Sequence, residues 1–261
     1  MGEDFLINEA IFLFALIFSR YLGIFFLTPI FSSQVIFYQA KILIALSLTA
    51  ITMPVVLSFY QPIYPASDLL VLVKIMSELS VGLFMGMAVF LVFAAVQLGG
   101  QIIDMGMGFR IANVVDPFSG INSPVIGQFK NILLTLIFLA VDGHLYLVKH
   151  LHQSFRIIPP GQVNFSLKIW QYFFRRSGDM FLLAVKVAIP IAGAIFFIDL
   201  ILAFLARSVP QMNLFVVGLP IKIMAGLLLL FVLIPVLNNF YAEIIFDIIN
   251  EIPQIFRLIS P

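Results

Sequence analysis

Cysteine is absent from this chain of 261 residues, and charged residues are scarce, at 10%. Without cysteine there is no disulfide, no thiolate metal site and no cysteine nucleophile. Soluble globular proteins carry about 25% charged residues, so the low charge and the 62% of hydrophobic residues predict a membrane-associated protein. The net charge of +1 also argues against nucleic-acid binding, which requires clustered Lys and Arg.

Motifs for catalysis and cofactor binding are missing as well. Two of the three histidines, His150 and His152, are two residues apart, a spacing that a helix would point in different directions, and His144 lies further upstream. No phosphate-binding GxxxxGKS or GxxxxGKT pattern occurs. The sequence therefore predicts no catalytic, cofactor-binding or metal-binding residues, and no enzyme.

Long apolar runs are what the chain does contain, and each is near the length of about 20 residues that crosses a bilayer. They cover residues 5–27, 42–67, 69–98, 125–148, 180–206 and 223–240. The second helix is expected to end or kink near Pro54. A Pro-Pro-Gly turn and a short amphipathic helix are expected within 149–179, and a separate amphipathic helix over 241–261. The acidic start MGEDFLINEA is unlike a secretory signal, so the first run is expected to stay in the mature protein.

Charged residues lie inside these apolar runs, where lipid would make them costly and where they usually mark a function. They are Arg20, Lys74, Glu78, Lys130, Asp142, Lys186 and Asp199. Lys74 and Glu78 are four residues apart on one helix face, so we expect them to neutralise each other, with a charged pathway as the alternative. Such a set of charges favours helices that pack against other protein chains over a free-standing bundle in lipid.

The longest glycine-rich and polar interruption covers residues 97–124, QLGGQIIDMGMGFRIANVVDPFSGINSP. Glycine and proline predict that no long regular helix crosses 106–124. Two interpretations stay open. The segment is either an exposed connector or a filler of a hole in a protein assembly, because its methionine and phenylalanine side chains suit irregular gaps. A second loop, RSVPQMNLFVVGLPIK at 207–222, is expected to be a hairpin tip held short by Pro210 and Pro220.

Three stretches resemble one family: GGQIIDMGMGFRIANVVDPFSGINSPVIGQF, VDGHLYLV at 141–148 and RSVPQMNLFVVGLPIK. The family is FliR, the R subunit of the flagellar type III protein-export gate, and the resemblance extends from about residue 10 to 255. The related injectisome export-gate subunits share the plan, but Met107-Gly108-Phe109 followed by NVVDP at 113–117 is closer to the flagellar branch.

The resemblance implies an all-α, integral membrane-type fold of kinked helical hairpins within a helical hetero-oligomer. A single export-gate domain over 1–261 would combine a P-like part, 1–179, with a Q-like hairpin, 180–261. The implied partners are P and Q subunits in a complex of five P, four Q and one R, the B subunit of the export switch, the A export subunit, the basal-body ring and inner-membrane lipid. Unfolded rod, hook and filament proteins would pass through the gate, which the resemblance locates in the bacterial inner membrane at the flagellar basal body.

The resemblance also implies two functional segments. The first is a plug over 106–122 that seals the export pore, with the residues Gly106, Met107, Gly108, Phe109, Arg110, Ile111, Asn113, Asp116, Pro117 and Phe118. The second is a tip that faces a cytoplasmic partner, with the residues Pro210, Gln211, Met212, Asn213, Leu214 and Phe215. The alternatives are an injectisome gate subunit, a structural component without a pore role, and a small-molecule transporter, because transporters also build substrate sites from broken apolar helices.

Overall fold

The chain is almost entirely helical wherever the computed structural model describes it, namely over residues 2–33, 36–60, 64–65, 67–109, 124–208 and 214–260, with 2–7 and 214–215 described by backbone alone. Eight helices occur in these ranges, and no strand does. They are α1 Gly2–Leu27, α2 Pro29–Ser32, α3 Tyr38–Leu57, α4 Asp68–Met107, α5 Val125–Ala140, α6 Gly143–Ile157, α7 Leu167–Ser208 and α8 Leu214–Ile259. The predicted all-α, membrane-type fold is confirmed.

Five of the described helices are long and apolar enough to cross a membrane, or six spans exist if α5 and α6 count as one. The single helix predicted for 125–148 is wrong, because α5 and α6 meet at a bend of 63°. Asp142 lies at this bend in the left-handed region, with φ 57°. Residues with short polar side chains tolerate that conformation better than most, so the bend occurs where the apolar run is interrupted by Asp142 and Gly143.

Helix bounds differ from the sequence prediction at three further places. Helix α3 includes Pro54 and continues to Leu57. The amphipathic helix predicted within 149–179 is the first part of α7, and the tail predicted as a separate helix is the last part of α8. Three isoleucines of that tail, Ile245, Ile249 and Ile252, are buried within the chain.

Contacts divide the chain into two compact units. Unit 1 comprises Met1–Leu91, Asp142–Arg175 and Phe246–Pro261, and unit 2 comprises Val92–Val141 and Arg176–Ile245. Unit 1 is closed by its last segment, since Asn164 N–H donates to the Ile259 carbonyl at 3.1 Å and Ser166 Oγ donates to the Leu258 carbonyl at 2.7 Å.

Within unit 1, helices α1 and α4 approach each other closely at two glycines. A Cβ placed on Gly23 would overlap the Leu79 carbonyl and lie 2.8 Å from the Leu83 nitrogen, and a Cβ on Gly82 would overlap the Arg20 carbonyl. Small residues allow such backbone contact between apolar helices. This crossing brings Arg20 of α1 beside the turn of α4 that carries Glu78.

Candidate functional site

The segment predicted as a plug begins at the end of α4, and that end has a defined geometry. Gly108 N–H donates to the Met105 carbonyl at 3.2 Å, and Phe109 N–H donates to the Asp104 carbonyl at 3.1 Å. Gly108 has φ 85°. These two bonds around a left-handed glycine form a Schellman motif, which ends a helix by satisfying its last carbonyls. The chain therefore leaves α4 in a fixed direction at Gly108.

Met107, one of the residues predicted for the plug, is buried inside unit 2. Its side chain lies over Gly226 of α8, where a Cβ would be 3.1 Å from the methionine sulfur and closer still to its terminal methyl. Gly106, also assigned to the plug, is the penultimate residue of α4 and faces Ile195 of α7. Both residues anchor the start of the segment, because each is packed within the helical part.

Helix α5, where the segment ends, is held against α4. A Cβ on Gly100 would overlap Gly127 Cα and lie 2.7 Å from its nitrogen, so the two backbones are in contact there. One turn further along α4, the buried carboxylate of Asp104 accepts hydrogen bonds from Ile126 N–H at 3.0 Å and Gly127 N–H at 3.2 Å. The two helix ends that flank the segment are thereby joined directly.

Two other charges of the apolar runs have partners in unit 2. Lys130 is fully buried and donates through Nζ to the Val187 carbonyl of α7 at 3.0 Å. Asp199 of α7 pairs with Lys222 of α8 at 2.9 Å. Lys130 and Asp199 therefore each have a partner within their own chain.

Unit 1 contains a buried ion pair that the sequence prediction assigned differently. Glu78 was expected to pair with Lys74, but its carboxylate accepts from Arg20 Nε at 2.5 Å and from Gly161 N–H at 2.6 Å. Arg20 and Glu78 are both fully buried. Gly161, with φ 77°, belongs to the predicted Pro-Pro-Gly turn, and that turn is closed by a bond from Gln162 N–H to the Pro159 carbonyl at 3.1 Å.

Two further donors of Arg20 are also used. Its guanidinium donates to Ser154 Oγ at 2.9 Å and to the Ile158 carbonyl at 3.1 Å, and it lies 4.3 Å from the centre of the Phe155 ring. A buried ion pair is tolerated when further hydrogen bonds satisfy both partners. Here they connect α1, α4, α6 and the turn after α6 in one network.

Most residues of the two predicted segments lie outside the described part of the chain. These are Arg110, Ile111, Asn113, Asp116, Pro117 and Phe118 of the plug, and Pro210, Gln211, Met212 and Asn213 of the tip. Leu214 and Phe215 begin α8, and Pro220 lies within it, so the second loop is shorter than the predicted 207–222. The plug and tip assignments stay predictions.

Sequence reasoning missed the importance of Asp104 and left Lys130 without a partner. One signal for Asp104 was available, since Pro124, the residue before α5, has no side chain able to cap a helix. The contact of Lys130 with the Val187 carbonyl had no comparable signal, because a backbone acceptor 57 residues away leaves no trace in composition. No group of His, Asp and Glu that could hold a metal occurs in the ranges described above.

Apolar helices long enough to cross a membrane define an integral membrane protein of the helical type. The family model of bacterial export proteins, family 1, matches residues 11–248. The chain belongs to this family.

Similar proteins include members of the flagellar export apparatus. The chain is 41% identical over 163 residues to the flagellar biosynthetic protein FliR of Bacillus subtilis (strain 168), a match that covers 61% of this chain and 63% of that protein, less than two thirds of its length. It is 30% identical over 238 residues to the FliR protein of Pectobacterium carotovorum subsp. carotovorum, which covers 90% of each. The surface presentation of antigens protein SpaR of Shigella flexneri is 27% identical over 156 residues, 59% of this chain and 60% of that protein. The predicted resemblance to the FliR family is confirmed.

Proposed function

We propose that this chain is the R-type subunit of a flagellar export gate in the bacterial inner membrane, where it helps to form and seal the channel for unfolded rod, hook and filament proteins. The family match over 11–248 supports a role in protein export. The observation that carries the sealing role is the α4–α5 junction. Both ends of the segment between Phe109 and Pro124 are fixed, one by the Schellman motif and one by the Asp104 carboxylate.

A seal in a conduit for polypeptides must stay attached while its centre is displaced. Anchored ends and a length of apolar chain between them meet that requirement, since Ile111, Val114, Val115 and Phe118 follow the anchored start. The free energy that holds such side chains in a pore is about 25 cal/mol per Å² of apolar surface. A few side chains therefore stabilise the closed pore by only a few kcal/mol, and a passing substrate can offset this free energy.

Partners are proposed from the exposed surface of the long helices. Large apolar side chains are exposed along α7 and α8, among them Phe181, Ile189 and Phe197. Lys186 is exposed near the middle of α7, where contact with lipid would cost about 2.5 to 3.5 kcal/mol. A face that combines apolar side chains with a lysine is better matched by neighbouring P and Q subunits than by lipid alone. Subunit expressed without these partners should therefore yield little stable protein, and a monodisperse, stable monomer in detergent would contradict this.

The sealing role is tested by deletion of residues 110–118 in the co-expressed complex, a change that leaves Met107 and Asp104 in place. We expect a several-fold rise in proton or small-solute leakage through membrane vesicles, with normal assembly. Gly178→Ala is the control, since nothing lies within 4 Å of its added methyl. An assembled complex that carries the deletion and is as tight as the parent would show that the segment is a connector.

The tip between α7 and α8 is proposed to face the B subunit of the export switch. Photo-crosslinking residues at Met212 and Leu214 should capture that protein, and the same residue at Gly178 should not. Capture of lipid alone at Met212 and Leu214 would remove the partner assignment.

A further inference from the structure

Helix α5 lacks a cap of its own. Its N-cap residue is Pro124, which makes no side-chain hydrogen bond to the helix. The first N–H groups of any helix have no partner within the helix, and they are normally satisfied by a Ser, Thr, Asp or Asn at this position. Those of Ile126 and Gly127 are the second and third N–H groups of α5, the ones that a capping side chain binds.

Asp104 supplies this cap from another helix. Its two carboxylate oxygens accept one bond each from Ile126 and Gly127, at 3.0 and 3.2 Å, and its side chain is buried with only 1% of the residue exposed. A negative charge at a helix N-terminus is further stabilised by the helix dipole. The backbone carbonyl of the same residue accepts the bond from Phe109 that closes the Schellman motif. One residue thus holds both the exit from α4 and the entry to α5.

Backbone contact keeps Asp104 in reach of α5. Gly100, one turn before Asp104, lies against Gly127, and Gly99 lies against α7, where a Cβ would be 2.7 Å from the Ala184 carbonyl. Because α4 is fixed on both sides, Asp104 has a defined position relative to the first turn of α5.

We infer that Asp104 is a positioning residue that ties the end of α4 to the start of α5 and so fixes the two points between which the chain from 110 to 123 runs. The inference rests on the proposed function only for what that segment does. Asp104 joins two helices, whereas an ordinary capping residue binds only the helix that it precedes.

Asp104→Asn tests the tie in the co-expressed complex. An amide keeps one oxygen but turns an NH₂ group toward the second backbone donor, and the charge is lost. Loss of a capping bond weakens a helix start enough to expect roughly tenfold faster hydrogen exchange at the amides of Ile126 and Gly127. Asp142→Asn is the matched control, because Asp142 is the N-cap of α6 but makes no side-chain cap bond, and exchange at the start of α6 should stay unchanged.

A second measurement gives the distance between the end of α4 and the start of α5. Since the chain has no cysteine, spin labels on Met105→Cys and Val125→Cys attach at no other site of this chain, and both sites are exposed. The distance distribution between the labels should be narrow in the parent and broader in Asp104→Asn. Asp104→Ser, which keeps one small acceptor, should fall between them and serves if the amide variant assembles poorly.

A capping residue on α5 itself would distinguish the two roles of Asp104, which are to cap α5 and to join α4 to α5. In the double variant Asp104→Asn/Pro124→Asp, an N-cap carboxylate is supplied by the residue next to α5. We expect slow exchange at Ile126 and Gly127 to return while the distance distribution stays broad. If the distribution narrows again, or if Asp104→Asn leaves both measurements at the parent values, Asp104 is not a tie and the inference is overturned. Hydrogen exchange and the distance between the labels do not depend on leakage. The deletion of 110–118 therefore tests the sealing role independently of the role of Asp104.

Discussion

Replacing Glu78 by glutamine should destabilise unit 1 more than any other single isosteric change in the buried charge network. The substitution keeps the shape of the side chain but leaves the guanidinium of Arg20 without a counter-ion in a fully buried site. One of the two acceptor oxygens is also lost, so either Arg20 Nε or Gly161 N–H loses its partner. Removing one member of a buried ion pair costs about 3 to 5 kcal/mol, which is a factor of roughly 10² to nearly 10⁴ in the folding equilibrium.

The measurement is the unfolding midpoint of the purified complex in detergent, together with the amount of subunit that assembles. Asp179→Asn is the control, since Asp179 and Arg176 form an exposed pair at 3.7 Å, and exposed pairs contribute about 0 to 1 kcal/mol. The apolar double variant Arg20→Met/Glu78→Leu should recover part of the loss, because no unpaired charge is left. A Glu78→Gln complex with the midpoint of the parent would refute the reasoning, and so would a double variant less stable than Glu78→Gln.

Two further predictions concern glycines. Gly82→Ala should lower the unfolding midpoint, because its methyl would overlap the Arg20 carbonyl of α1 and overpacking costs about 1 to 3 kcal/mol. Gly193→Ala is the control and should be neutral or stabilising, since nothing lies within 4 Å of its added methyl. Equal midpoints for the two variants would contradict the close crossing of α1 and α4. Gly226→Ala should destabilise by displacing Met107, and Met107→Ala in the same chain should restore part of the loss. If Met107→Ala instead adds to the loss in full, the two residues do not share one packing site.

The fold class could be predicted from the sequence because helices in an apolar environment need long apolar runs. Such runs are visible in the sequence. The extents of α7 and α8 did not follow. Ser177-Gly178-Asp179 suggested a boundary, yet glycine in a helix costs only about 1 kcal/mol, and α7 continues through it. A change from amphipathic to apolar composition marks a change of surroundings and need not end a helix.

Contacts between residues far apart in the sequence were the other feature that could not be predicted. Lys74 and Glu78 were expected to pair because spacing on one helix is all that a sequence displays. The structure gives Glu78 a partner 58 residues away, since the contact of Gly23 with Gly82 brings Arg20 beside Glu78. For the segment predicted as a plug, the sequence placed the start at Gly106, but only the packing showed that Met107 is buried within the helical part and that the Asp104 carboxylate binds the first turn of α5.

The two units are built from alternating segments of the chain, and this determines which unit is completed first during synthesis. Unit 2 is built from residues between Val92 and Ile245, with the insertion 142–175 belonging to unit 1. Unit 1 needs Phe246 onward, and Ile252, Ile255 and Phe256 are buried there. A ribosome therefore delivers everything that unit 2 requires before unit 1 has its last segment. Until then, the apolar surface of the nascent unit 1 that these residues cover stays open, and a stall or truncation near residue 245 would release a chain with that surface exposed.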